Sequence, residues 1–305
     1  MENNLTNNKN IDIQLDEFFS ILYNKKSLIL ILTTIFAIVS VLISLNIPNT
    51  YTSKSVLVPV ESSNSMSSMS SSLSSAASMI GFGVSGNNNS IKIEEAIKRM
   101  ESFDFFNNYF LKNVQLENIM AVKKWDSEKN QIIYDGSLYD SEKKIWILNN
   151  SKKTKPSSRD AYEIYIERLA ISSNSQFIDI SIKHESPLVA KRWLDLIITN
   201  INESMREDDK INAENAITFL NKSLKNTKLQ SIKTVTSNLL ESQMKTLMLA
   251  ESSESYVLKI IDSPFVPEKK SSPNRALICI LGTALGFILG IFISMIMFFR
   301  ERYSH

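Results

Sequence analysis

Cysteine is almost absent from this 305-residue chain. The single Cys279 cannot form an intrachain disulfide, so the chain must fold without disulfides. Histidine occurs only as His184 and His305, which leaves His-based metal sites and Ser-His-Asp triads with almost no material. A net charge of +2, from 34 Lys+Arg against 32 Asp+Glu, lacks the basic excess of a nucleic-acid binder, and no nucleic acid is expected as a partner. Glycine and proline number seven each, and the 76 residues between Pro187 and Pro264 contain neither.

Charge is missing altogether from two stretches, Leu28 to Ile47 and Ala276 to Phe299. At about 1.5 Å per residue they cover roughly 30 Å and 36 Å, enough to cross a hydrocarbon core. A cleaved signal is disfavoured for the first, because 27 residues precede it and Ser44-Leu-Asn-Ile-Pro48 offers no small-x-small site. The second has no polar face, unlike a core helix. Two membrane spans are therefore expected, at 28–47 and 276–299. Lys25 and Lys26 abut the first span while only Lys54 lies close beyond it, which places both termini in the cytoplasm. Lys269, Lys270 and Arg275 pull the other way, but the 228 residues between the spans far exceed the ~60-residue loops in which charge decides orientation. The organisation predicted is a cytoplasmic segment at 1–27, an external domain at 48–275, and a tail at 300–305. Neither cytoplasmic piece is long enough to fold as an enzyme or an output domain.

Within the external domain, Tyr51 to Val60 is β-branched and partly alternating and predicts a strand. Residues 62–90 are rich in Ser, Asn, Met and Gly and read as a loop. Ile93, Ile97, Met100 and Phe103 predict one or two amphipathic helices over 91–112, and Ser157 with Asp160 caps another. Strands follow at 177–183 and 256–261. After Pro187, apolar residues recur from Val189 through Trp193, Ile197, Ile201 and Met205 to Ala213, Ile217, Leu220 and Leu224. A single, continuous or mildly kinked helix over 188–252 would extend on the order of 100 Å. Its apolar stripe needs an antiparallel segment of the chain or a neighbouring protomer, oligomerisation being the simplest cover. The alternative is two helices folded back at Asn226-Thr227 or around 231–237, and the absence of Gly argues against so tight a connection.

Chemistry finds little support. Gly81-Phe-Gly83-Val-Ser-Gly86 matches GxGxxG, but it follows a Ser-rich loop rather than a strand, and Asn87 stands where a phosphate loop needs Lys. Glu94-Glu95 and Asp208-Asp209 are adjacent carboxylates that point about 100° apart on a helix and read as solvated faces. His184 reads as a surface residue near a helix start. Phe103, Phe105, Phe106, Tyr109 and Phe110 suit sugar stacking in principle and core packing by default. No catalytic, cofactor-binding or metal-binding residue is assigned, no enzyme activity is expected, and no cofactor is required. Two features stand out at the second span. Pro264, Pro267 and Pro273 predict a semi-rigid, membrane-proximal lead-in. Gly282, Gly286 and Gly290 recur every four residues on one face, where small residues let another helix approach closely. They are the expected helix-packing residues, in a contact between spans within or between protomers.

The combination resembles the polysaccharide co-polymerases, the chain-length determinant (Wzz-type) family. The resemblance rests on Asp16-Glu-Phe-Phe-Ser-Ile-Leu-Tyr-Asn-Lys-Lys26 before the first span, Tyr51 to Val60 after it, and Ile178-Asp-Ile-Ser-Ile-Lys-His-Glu-Ser-Pro187-Leu-Val-Ala190. Most specific is the ending, Pro264-Phe-Val-Pro267-Glu-Lys-Lys-Ser-Ser-Pro273-Asn-Arg275 before the glycine-spaced span. It implies an α+β membrane protein of the bacterial inner membrane, two transmembrane helices flanking a periplasmic mixed α/β base with a very long protruding helix. It also implies a ring-shaped homo-oligomer in contact with membrane lipids. The role implied is non-catalytic control of the modal length of lipopolysaccharide O-antigen, in partnership with the O-antigen polymerase and the lipid-linked polysaccharide. The branch fused to a tyrosine kinase is disfavoured, since the sequence reaches His305 without Walker motifs. The rival readings are a co-polymerase for capsule or exopolysaccharide and a membrane-anchored transport adaptor.

Overall fold

A computed structural model describes residues 25–60, 88–147, 155–174, 176–253 and 255–303. The glycine motif at 81–86, nearly all of the Ser/Asn-rich stretch and most of the N-terminal segment lie outside these residues. The chain divides into two units, a helical pair drawn from its two ends (1–48 and 272–305) and a body, Asn49–Ser271.

In the first unit, α1 (Lys26–Asn46) is one of two described helices long and apolar enough to cross a membrane, with mean hydropathy 2.9. The other, with mean hydropathy 2.6, lies in the C-terminal helix Arg275–Tyr303. Both spans thus fall where uncharged sequence required them.

The body is built on a four-stranded antiparallel sheet of order β6-β7-β1-β8, with β1 at Tyr51–Pro59, β6 at Leu169–Ser173, β7 at Ile178–His184 and β8 at Leu258–Asp262. Tyr51 pairs His184 and Leu57 pairs Ile178, so Ile178, Ile180 and Ile182 all point to one buried face. On the other side Leu57 pairs Ile260 after a bulge at Val56 and Leu57. The first and last strands of the body are therefore neighbours.

Helix α2 (Asn88–Met100) leads into α3 (Phe103–Phe105), a π-helical turn at Phe106–Phe110 and a short 3-10 turn at Leu111–Asn113. After α4 (Leu116–Met120) come two hairpins, β2 with β3 (Val122–Asp126, Gln131–Tyr134) and β4 with β5 (Tyr139–Asp140, Ile145–Trp146). Both turns use one sequence, Asp126-Ser-Glu-Lys-Asn130 and Asp140-Ser-Glu-Lys-Lys144. Each Asp accepts backbone N–H groups two and three residues on, and each turn ends on a positive φ, 52° at Asn130 and 55° at Lys144. This repeat, and β6, were missed in the sequence reading. Helix α5 (Ser158–Arg168) starts where expected, with Ser157 and Asp160 forming a reciprocal capping box.

The long run after Pro187 departs from the expected rod. Helix α6 spans Pro187–Asn226, 40 residues opened by the Ser186 cap, and α7 spans Gln230–Ser252. The expected helix at 188–252 is thus two helices that pack against one another, α7 returning so that Lys210 meets Glu251 at 3.3 Å. The connection needs no glycine, because Thr227 and Leu229 take extended dihedrals (φ −96° and −79°) open to any residue. An antiparallel segment of the same chain, rather than necessarily a second protomer, therefore covers the distal part of α6.

The core lies between the sheet and the proximal half of α6. Trp193, Leu194, Ile197, Ile198 and Ile201 face Leu57, the β7 isoleucines and the aromatic group Phe105, Phe106, Phe110 and Tyr165. Phe110 stands edge-on to Trp193 at 5.4 Å and contacts Tyr165 at 4.8 Å. Truncating such a buried aromatic costs about 3–5 kcal/mol.

Candidate functional site

The sequence singled out two features at the second span, the proline lead-in and the glycine face, and each has a defined structural setting. Helix α8 (Arg275–Tyr303) packs on α1 in the opposite chain direction. Gly282 lies against Ser40, Gly286 against Phe36 and Thr33, and Gly290 against Ile29. A Cβ added at Gly286 would stand 2.5 Å from the Phe36 Cβ, and one at Gly290 would stand 3.2 Å from the Ile29 Cα. Four-residue spacing lines the three glycines on one side, and the missing side chains let the helices approach. Ser40, Ser44 and Ser294, all small, are buried in this pair, while Leu30, Ile38, Leu281 and Ile288 are exposed. Thr33 and Ser40 turn their hydroxyls onto α1's own carbonyls of Ile29 and Ala37.

In the body, the proline segment runs beside β1 once β8 has ended. Proline has no N–H to extend a ladder, and serine hydroxyls from β1 do the joining instead. Ser55 donates to the Asp262 carbonyl at 2.6 Å and Ser53 to the Phe265 carbonyl at 2.9 Å, both serines being fully buried. The Ser271 N–H donates to the Thr50 carbonyl at 2.8 Å, and Thr52 bonds the Ser271 hydroxyl at 2.7 Å. The two ends of the body are thereby held together. The Ser272–Pro273 peptide is cis. Ser53 and Ser55 were missed, although a polar residue at alternate positions of a strand next to a proline run was a usable signal.

Asn202 is a third residue that sequence reasoning missed. Buried on α6, its carbonyl oxygen accepts the backbone N–H groups of Tyr256, Val257 and Leu258 at 3.1, 2.8 and 2.9 Å. Its amide donates to the Ile198 and Leu258 carbonyls at 3.1 and 3.0 Å. One side chain so fixes where β8 begins, and an amide on an otherwise apolar helical face was the sign of it.

His184 is buried, not on the surface. Its Nε2 donates to the Asn118 carbonyl at 2.9 Å, and its Nδ1 accepts the Ser186 N–H at 2.8 Å, which fixes the neutral tautomer. Burial lowers its pKa to about 4, against a raising influence from Glu185. Arg168 donates to Glu185 through its two terminal guanidinium nitrogens, at 2.8 and 2.9 Å. The adjacent carboxylates are also partnered. Asp208 pairs with Arg99, while Asp209 takes Lys92 at 2.7 Å and the Tyr256 hydroxyl at 2.6 Å. Burial first, then Asp209, raises the Tyr256 pKa. Among the described residues no three His, Cys, Asp or Glu side chains are grouped to hold a metal ion.

Residues 11–110 match the family model described as Wzz, chain length determinant protein, which spans the first apolar helix and β1. No curated relative matches the sequence. A solved structure titled full-length bacterial polysaccharide co-polymerase is 13% identical, covering 95% of this chain and 99% of its own, with a TM-score of 0.43. A fragment of WzzB, a polysaccharide co-polymerase from Salmonella Typhimurium, is 12% identical, covering 73% of this chain and 100% of its own, with a TM-score of 0.34.

Proposed function

From the Wzz-type match across residues 11–110, we propose that this protein is a non-catalytic regulator of polysaccharide chain length, setting the modal length of lipopolysaccharide O-antigen with an inner-membrane Wzy-type polymerase. That match is the observation that carries the reading. Both termini lie in the cytoplasm and residues 48–275 in the periplasm, the orientation favoured by Lys25 and Lys26. An unregulated polymerase gives a broad length distribution, so a modal length needs a device that senses or times growth. The protein supplies it as a homo-oligomeric ring, whose bodies form a scaffold around or beside the polymerase and its lipid-linked chain.

Two features support this reading. The groove between α6 and α7, about 730 Å³, is lined by Phe219, Leu220, Ile232, Val235 and Leu239, and Phe219, Leu229 and Met248 are exposed around the hairpin. Such apolar surface suits contact between copies. The fit of Gly282, Gly286 and Gly290 against α1 favours the packing of one protomer's spans as their role, leaving the outer faces of the pair for the polymerase and membrane lipids.

The test is deletion of the gene followed by gel analysis of the cell's lipopolysaccharide, with and without the wild-type gene restored. Loss of a modal ladder that returns on complementation is expected. An unchanged ladder overturns the O-antigen assignment and directs measurement to capsule or exopolysaccharide size.

A further inference from the structure

A cavity of about 720 Å³ lies on the body where α2, the π-helical turn and α6 meet, away from the apolar hairpin groove. Its walls include Arg99, Asn108, Tyr109, Ser204, Glu207 and Asp208. These groups hold one another in place. The Arg99 guanidinium donates to Asp208, to the Ser204 hydroxyl at 3.1 Å and to Glu95 at 2.9 Å. The Tyr109 hydroxyl donates to Glu207 at 3.1 Å, and the Asn108 amide donates to Asp104 at 3.1 Å. Tyr109 itself is stacked on Phe105, its ring 5.7 Å away and inclined by 19°, and its carbonyl accepts from Asn200 and Asn113.

The π turn at Phe106–Phe110 forms part of this wall, with Phe106 and Phe110 in the core and Asn108 and Tyr109 lining the cavity. Charge narrows the ligand. Four carboxylates (Glu95, Asp104, Glu207, Asp208) face three cations (Lys98, Arg99, Lys112), so neither a strong anion nor a free cation is favoured. Arg99 is already neutralised by two carboxylates. What remains is an aromatic ring among fixed planar donors and acceptors, each carboxylate and amide retaining capacity beyond its internal bond. That set recognises a ligand with many hydroxyls and little charge.

Resting on the chain-length reading, we infer that this cavity is a glycan subsite that takes an uncharged sugar of the growing polysaccharide, with Tyr109, Asn108 and Glu207 as its contact residues. A sugar ring lies against Tyr109, and its hydroxyls donate to Glu207 and Asn108. Retention of the chain at this point gives the protein a direct contact with the polymer it regulates.

The experiment uses the full-length protein in detergent, titrated calorimetrically with oligosaccharides of one to a few repeat units released from the cell's own surface polysaccharide. Saturable binding is expected, weakened at least fivefold by Asn108→Ala or Glu207→Gln and lost in the double variant, with Lys233→Ala on α7 unchanged. Thermal melting of each variant is run alongside, and the isosteric Glu207→Gln keeps the test sound where Asn108→Ala unfolds. No saturable binding by the wild type, or undiminished binding by Glu207→Gln, overturns the inference. Neither result touches the gene deletion, which alone decides the chain-length reading.

Discussion

Asn202 and His184 show how much a single buried polar group decides here. Asn202→Ala deletes five hydrogen bonds and strands three backbone N–H groups at the start of β8. A loss of about 3 kcal/mol is expected, read by urea unfolding of the detergent-solubilised protein. His184 carries a pH signature. Its folded pKa of about 4 lies below the ordinary 6.5, so between these values the unfolded state binds a proton that the native state refuses. Stability should therefore be unaffected by this group above about pH 6.5 and fall by about 3 kcal/mol as pH drops toward 4. His184→Asn should flatten that slope, and an equal slope in the variant would assign the acid loss to other groups.

At the scale of elements, the membrane pair and the helical hairpin answer to different forces. Lipid gives no hydrophobic drive between spans, so α1 and α8 meet through shape. Gly286→Leu places a branched side chain where even a Cβ is within 2.5 Å of Phe36. The span pair should separate, measured as lost cross-linking between cysteines placed in α1 and α8, and on the proposed function the modal length should broaden. Gly136, with no atom within 4 Å of an added Cβ, serves as the control, and Gly136→Ala should change neither. The hairpin rests on burial instead. Leu220 is 8% exposed between α6 and α7, and Leu220→Asp places a charge in that seam. Hydrogen exchange of α7 should quicken at least tenfold while β1 and β7 stay protected, since the distal part of α6 meets α7 rather than the sheet core.

The whole molecule couples a sheet whose first and last strands are neighbours to two apolar helices at the ends of the chain. On the proposed function, the glycan contact and the span seam belong to one device. A strain carrying Asn108→Ala with Glu207→Gln should then produce the protein at normal abundance and yet shift or broaden the polysaccharide ladder. A normal ladder at normal abundance would separate glycan contact from length control.

Both spans, β1, β7, the Ser157 cap and the start of α6 were legible because each is fixed by local sequence: charge-free length, alternation, a hydroxyl before a helix, a proline at its first turn. The break after Asn226 was legible only as the alternative to a continuous rod, because its extended residues carry no obligatory glycine, and only the contact of α7 with α6 makes a turn there favourable. The same holds for the cavity. Arg99, Tyr109 and Glu207 sit on separate elements up to about a hundred positions apart, and no spacing in the chain announces that they meet. His184 reads as an ordinary polar residue until the carbonyls around it are known. Sequence alone determined what must leave water and what must span a membrane, since those are properties of each segment. Which polar groups face one another was decided only by tertiary structure, because hydrogen bonds and charge pairs depend on distance in space and not along the chain.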